Sequence, residues 1–250
     1  MSRRLLFALL LLATFRARAE NLSIAAAANF TGPLEALTAE FKKRNPSTKV
    51  TVATGASGSL IAQIKNGAPY DVFLSADLEY PQALVGSGEA EASSLFTFAF
   101  GRLVLWTTRP SVQLASVAEA VRDPMVQKIA IANPDTAPYG RAARQVLGDL
   151  GVWADAFPKL VLGENITQTA QFVETGNADL GFVSLSVVLA PKLREKGRWL
   201  DVPARLHAPL AHGAVLTRRG AKSTAGKQFL EFLRTPAAKL ILESFGYAVP

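Results

Sequence analysis

The sequence predicts an α/β protein of two lobes, each a mostly parallel sheet flanked by helices. Three observations carry that expectation. Short apolar runs alternate with segments of helical period along the chain, which is the rhythm of βαβ units. Its 250 residues, 49% hydrophobic and 19% charged, allow one or two domains with a sizeable core and exclude disorder, collagen-like repeats and coiled coil. No linker rich in Pro, Ser or Gly, no internal repeat and no low-complexity tract isolates one part of the chain from another.

Met1-Ser-Arg-Arg4, nine apolar residues from Leu5 to Ala13 and an Ala17-Arg-Ala19 end are the three parts of a secretory signal peptide. Nine apolar residues fall short of the roughly 20 that a membrane-spanning helix needs. Cleavage is expected after Ala19. From there Leu22–Ala28 reads as a strand and Leu34–Arg44 as a helix with Leu34, Leu37 and Phe41 on one face. Asn45-Pro46 breaks that helix. Val50–Thr54 is a second strand, Leu60–Lys65 a short helix, and Val72–Ser75 a third strand with Asp77 placed to cap the helix after it.

The middle repeats the theme. Strands are expected at Arg102–Thr107, Ile129–Ala132, Leu160–Leu162 and Leu180–Val183, with helices at Val117–Val121, Arg141–Leu150 and Thr167–Glu174. Ala211–Thr217 returns as a strand, and helices at Lys222–Arg234 and Ala237–Phe245 close the chain. The expected division is a signal peptide over 1–19, a first lobe from 20–100 and 212–250, and a second lobe from 101–211. The chain would cross between lobes near Phe100 and again near His212.

Charge and cysteine usage narrow the function. There are 27 basic and 20 acidic residues, but Arg3, Arg4, Arg16 and Arg18 lie in the first nineteen, leaving 23 against 20. Nucleic acid thereby loses its main support as a partner. The cysteine count is zero, so disulfides, thiolate metal sites, a nucleophilic Cys and a lipoprotein anchor are all excluded. A soluble periplasmic protein, not embedded in the membrane, is expected.

In open α/β sheets ligands bind beyond the carboxyl ends of strands, where helix N-termini offer unpaired N–H groups to anions. Four strand-to-helix turns here are built of small or hydroxyl residues: Ala27–Thr31, Gly55–Ser59, Ala137–Gly140 and Gly163–Thr167. None contains Lys or Arg, although Arg141 follows the third. Taken singly, Ser, Thr or Asn before a helix is most often a cap worth about 1 kcal/mol. Four such turns, each able to aim donors at one point, are not expected by chance and together mark a candidate anion site.

The mature chain resembles the periplasmic molybdate-binding proteins of ABC importers. The resemblance rests on Ile24-Ala-Ala-Ala-Ala-Asn-Phe30, Thr54-Gly-Ala-Ser-Gly-Ser-Leu-Ile-Ala-Gln-Ile64, Gly67-Ala-Pro-Tyr-Asp-Val-Phe-Leu-Ser-Ala-Asp77, Ala132-Asn-Pro-Asp-Thr-Ala-Pro-Tyr-Gly140 and Ala178-Asp-Leu-Gly-Phe-Val183. The third is the most specific. It implies a two-lobed periplasmic binding fold, type II-like, with a hinge and a central cleft. One tetrahedral oxyanion, molybdate and with it tungstate, would be held there by neutral donors and passed to a membrane permease. Asn29 and Ser57 would supply side-chain donors, Tyr139 would contribute from the second lobe, and Ile166 would use its backbone N–H. Ala28 (through its backbone), Ser59 and Ser184 are second-rank candidates. Many relatives have Ser at the position of Asn29 and Tyr at that of Ser184; pairing Asn29 with Tyr139 matches a subgroup. No catalysis, resident cofactor or bare metal cation is implied, since molybdenum would arrive as its oxyanion, and the protein would act as a monomer.

Other features have plainer accounts. Asp71 and Asp77 read as a loop hydrogen-bond partner and a helix cap. His207 and His212, the two histidines, match no common zinc spacing. Two rival readings stand: a receptor for another tetrahedral oxyanion such as sulfate, and a secreted serine hydrolase using Ser57 with one of the histidines. Ala56-Ser57-Gly58 only partly matches a nucleophile elbow. A regulator's sensing half is disfavoured by the export signal.

Overall fold

A computed structural model describes residues 20–250; the expected signal peptide lies outside them. The chain builds two five-stranded sheets. The first opens with β1 (Asn21–Ala27), a 3-10 turn at Ala28–Phe30, α1 (Thr31–Arg44), β2 (Lys49–Gly55), α2 (Ser57–Lys65), β3 (Val72–Leu74), α3 (Glu79–Gly86) and β4 (Phe96–Phe100). The second holds β5 (Leu103–Thr107), α4 (Val117–Arg122), β6 (Ile129–Ala132), α5 (Pro138–Asp149), α6 (Trp153–Ala156), β7 (Leu160–Gly163), α7 (Ile166–Glu174), β8 (Leu180–Ser184), α8 (Leu185–Val188) and β9 (Arg198–Asp201). The chain then returns to the first sheet with β10 (Ala211–Leu216), and α9 (Thr224–Leu233) and α10 (Pro236–Ser244) complete it.

The strand orders are β2-β1-β3-β10-β4 and β7-β6-β8-β5-β9. Both sheets are mixed. In the first, β1 runs parallel to β2 and β3, while β10 is antiparallel to β3 and β4. In the second, β6 is parallel to β7 and β8, while β5 is antiparallel to β8 and β9. In each sheet one strand beside a crossing runs against the rest, β10 in the first and β5 in the second, and the edge strands β4 and β9 that pair with them run with the majority. At the crossing itself Gly101 N–H donates to Leu210 O at 2.9 Å, and Phe100 N–H to Ala248 O at 2.7 Å. The C-terminal tail is thereby pinned beside both crossing segments.

Alternation along buried strands explains the layers. Ala25, Phe73 and Val215 pack against Leu60, Ile61 and Ile64 of α2 and Leu84 of α3. Ile24, Ala26, Val72, Leu74 and Leu216 belong instead to the large core with Leu34, Leu37 and Phe41 of α1 and Phe229 of α9. Strands covered on both faces read as continuous apolar runs, and β1, β3, β6 and β8 do so. β4, β9, α6 and α8 were not expected. β9 has the burial pattern of an exposed edge, and α6 and α8 have four residues each, too few to show a period. The helix expected from Lys222 begins at Thr224, because Ser223 Oγ caps it by accepting Gly226 N–H. No helix among the described residues is long and apolar enough to cross a membrane.

Candidate oxyanion-binding site

Five parallel strands, three from one sheet and two from the other, end on one small cavity. It is lined by the turns after β1, β2, β3, β6 and β7, and its twelve lining residues are all uncharged. The cavity's volume is about 10 Å³, the room of one small particle. Helical segments begin on it at Ala28, Ser57, Pro138 and Ile166; Pro138 has no N–H, so at α5 the leading one is that of Tyr139, and the N-termini turn the positive ends of their dipoles to the cavity.

Tyr139 is the decisive side chain. It is buried in the first turn of α5 and lines the cavity. Its hydroxyl is the only fully buried side-chain polar atom among the described residues without a hydrogen-bond partner. Burial pushes its pKa well above the ordinary tyrosine value; the nearby Tyr247 adds to this and the neighbouring Ser184 hydroxyl opposes it. It therefore stays an O–H donor. Gly101 leaves the ring room: a Cβ there would sit 2.1 Å from the Tyr139 oxygen and 2.5 Å from His212 Cε1.

Ser57 opens α2 and is fully buried. Its Oγ accepts the Ala76 N–H at 3.1 Å, which uses it as acceptor and leaves its own proton to donate. At α7, Asn165 Oδ1 accepts the N–H of Thr167 at 3.0 Å and of Gln168 at 3.2 Å. That cap satisfies the second and third positions and leaves the first, the Ile166 N–H, toward the cavity. Asn29 and Ala28 also line it, on the 3-10 turn that runs into α1. The Asn29 amide has partners behind the wall: Nδ2 lies 2.6 Å from Tyr247 Oη and 3.0 Å from His212 Nε2.

Two second-rank candidates lie elsewhere. Ser59 is exposed on the outer face of α2. Ser184 is buried at the end of β8, hydrogen-bonded to Ser186, and outside the cavity lining. Asn165 as a cap, and His212 and Tyr247 as partners of Asn29, are roles that the sequence reading does not mark. The Asn165-x-x-Gln168 start of α7 was a legible cap signal, whereas His212 and Tyr247 reach Asn29 across 183 and 218 residues.

The lobes meet around the cavity. Gly58 N–H donates to Thr136 O at 2.8 Å, and Thr167 Oγ1 to Ala28 O at 3.1 Å. At the rim Arg141 pairs with Asp77 and lies 3.3 Å from Glu79. Its guanidinium also donates to Tyr80 Oη at 3.0 Å. Asp77 itself accepts Tyr80 N–H at 3.2 Å in the first turn of α3.

Residues 22–248 match the family model described as bacterial extracellular solute-binding protein. The chain belongs to that family. This solute-binding protein is 39% identical to the molybdate-binding protein ModA of Azotobacter vinelandii, over 93% of this chain and 92% of that one. Its identity to the molybdate-binding protein ModA of Rhodobacter capsulatus is 42%, over 92% and 89% of the two chains. Among solved structures, the Azotobacter vinelandii periplasmic molybdate-binding protein superposes with a TM-score of 0.86 at 36% identity, covering 92% of this chain and 99% of that one. The two-lobed α/β architecture is thus that of a known periplasmic binding protein.

Proposed function

We propose that this solute-binding protein is the periplasmic receptor of an ABC importer, capturing molybdate, and tungstate with it, for delivery to a membrane permease. The observation that carries the reading is a cavity lined only by uncharged residues, with Tyr139 in its wall and the buried Tyr139 hydroxyl without a hydrogen-bond partner. A buried donor without an acceptor costs roughly 1–3 kcal/mol, and a bound oxyanion removes that cost. The Ser57 hydroxyl, the Ile166 N–H and the Ala28–Asn29 turn complete the donor set. Residues 20–100 with 212–250 form one jaw and 101–211 the other. The protein works as a monomer without a resident cofactor, and Ala19 ends its export signal. The kinship with molybdate-binding proteins supports the choice of ion.

The donor set selects by protonation. No carboxylate lines the cavity, so no charged acceptor there takes a proton from the ligand. Phosphate near neutrality carries at least one proton and would bury it unpaired, at about 1–3 kcal/mol. Molybdate, tungstate and sulfate are full dianions. A cage matched to the longer metal–oxygen bonds holds sulfate with stretched hydrogen bonds. The hydrolase reading finds no support in the geometry. His212 has its ring nitrogens on Asn29 and Leu210 O, His207 is bonded to Ala208 O, and Ser57 Oγ bonds Ala76 N–H. Calorimetric titration with the four anions tests the proposal. Molybdate and tungstate are expected to bind tightly, sulfate far more weakly and phosphate not measurably. Heat from sulfate with none from molybdate would assign the receptor to another oxyanion.

A further inference from the structure

Behind the cavity wall lies a buried polar cluster that the donor set leaves unused. His212, at the start of β10, is fully buried in an aromatic cage of Phe30, Phe98, Tyr139 and Tyr247. Its titratable neighbours in that cage are the two tyrosines. Nδ1 lies 2.8 Å from Leu210 O, and a carbonyl oxygen can only accept, so Nδ1 carries a proton. Burial holds the ring neutral by pushing its pKa down to about 3. With one proton on Nδ1, Nε2 is an acceptor. The atom of Asn29 that faces it at 3.0 Å must therefore be the amide nitrogen. The second amide proton goes to Tyr247 Oη at 2.6 Å. Tyr247 Oη in turn donates to Ser186 Oγ at 2.9 Å, and Ser186 Oγ to the Asn29 carbonyl at 3.0 Å.

Resting on the receptor reading above, we infer that His212 is a positioning residue. As the Nδ1–H tautomer it consumes an Asn29 amide proton and, with Tyr247, turns that side chain from ligand donor into buttress. Asn29 then meets the oxyanion through its backbone N–H on the 3-10 turn, and the cluster fixes that turn from both its side chain and its carbonyl. This differs from the side-chain role expected for Asn29 on resemblance. It also makes the anion site depend on a residue from the strand beside the chain crossing and on a tyrosine from the C-terminal tail.

The test uses the whole mature protein. Long-range proton–nitrogen correlation on uniformly ¹⁵N-labelled protein distinguishes its two histidines, His207 being identified by substitution. Expected for His212 is a protonated Nδ1 and an unprotonated Nε2, with and without molybdate; a protonated Nε2 overturns the inference. Calorimetry then compares His212→Leu, which removes the acceptor, with His212→Gln, whose amide oxygen can still accept from Asn29. The Leu variant is expected to bind molybdate about tenfold more weakly, and the Gln variant to recover most of that loss. Equal affinity of the Leu variant and the parent overturns the positioning role while the receptor reading stands. Absence of molybdate binding by the parent overturns the receptor reading, and the tautomer measurement still decides the His212–Asn29 pairing. If the Leu variant fails to fold in a thermal melt, the parent tautomer alone decides.

Discussion

At the scale of single residues, the proposed site is a set of hydrogen-bond donors whose own acceptors have been withheld or used up. Tyr139→Phe removes a donor to a charged ligand, worth about 1.5–3 kcal/mol, or roughly tenfold to over a hundredfold in affinity. Because the hydroxyl has no partner in the protein, the melting temperature without ligand is expected to hold or rise. Calorimetry and a thermal melt on the same sample check both halves. Ser57→Ala should weaken molybdate by a similar factor but also strand the Ala76 N–H, so it is expected to lose some stability as well. Ser57, Tyr139 and Ile166, which turn residues and motif matches mark in local sequence, all line the cavity. Ser59 was not separable from Ser57 by composition; only the direction of α2 places one inside and the other in solvent. The partners of Asn29 were illegible for another reason: a lone buried histidine and a tail tyrosine give no local signal of what they touch.

At the scale of elements, the geometry is the convergence of helix N-termini on one point. The apolar runs announced β1, β3, β6 and β8, and so the carboxyl ends at which the turns meet. The antiparallel partners β4 and β9 escaped the reading because an edge or hinge-side strand is stabilised by its neighbours more than by its own pattern. Capping is divided with purpose at α7. Asn165 satisfies the second and third N–H groups and leaves Ile166 N–H for the cavity. Asn165→Ala is expected to cost about 1 kcal/mol of stability by denaturant titration, and to weaken molybdate because the first turn is no longer held at its angle. Unchanged affinity in that variant would show that Ile166 N–H does not depend on the cap.

For the whole molecule, two lobes line one cavity, so the proposed receptor role couples ligand binding to closure. The contacts Gly58–Thr136, Thr167–Ala28 and Arg141–Asp77 cross between the lobes. Saturating molybdate is expected to reduce the radius of gyration in solution scattering and to raise the melting temperature by mass action; a profile without change counts against the jaws. Stability should also carry the mark of buried His212. Its folded pKa, about 3, lies below the unfolded value of about 6.5, so its stabilising contribution is full above pH 6.5. It falls as the unfolded chain takes up a proton that the fold refuses, by about 1.4 kcal/mol per pH unit. Between pH 7 and pH 5 the parent is therefore expected to lose about 2 kcal/mol more than His212→Gln in urea titrations; parallel losses would show that the ring is not held neutral. The claim on which everything turns is that an oxyanion sits among Ser57, Tyr139 and Ile166. Diffraction from crystals grown with molybdate, recorded at the molybdenum absorption edge, addresses it directly. The expected result is one anomalous peak inside that cavity, within hydrogen-bond reach of the Tyr139 hydroxyl. A peak at any other place, or none at saturating ligand, would contradict it.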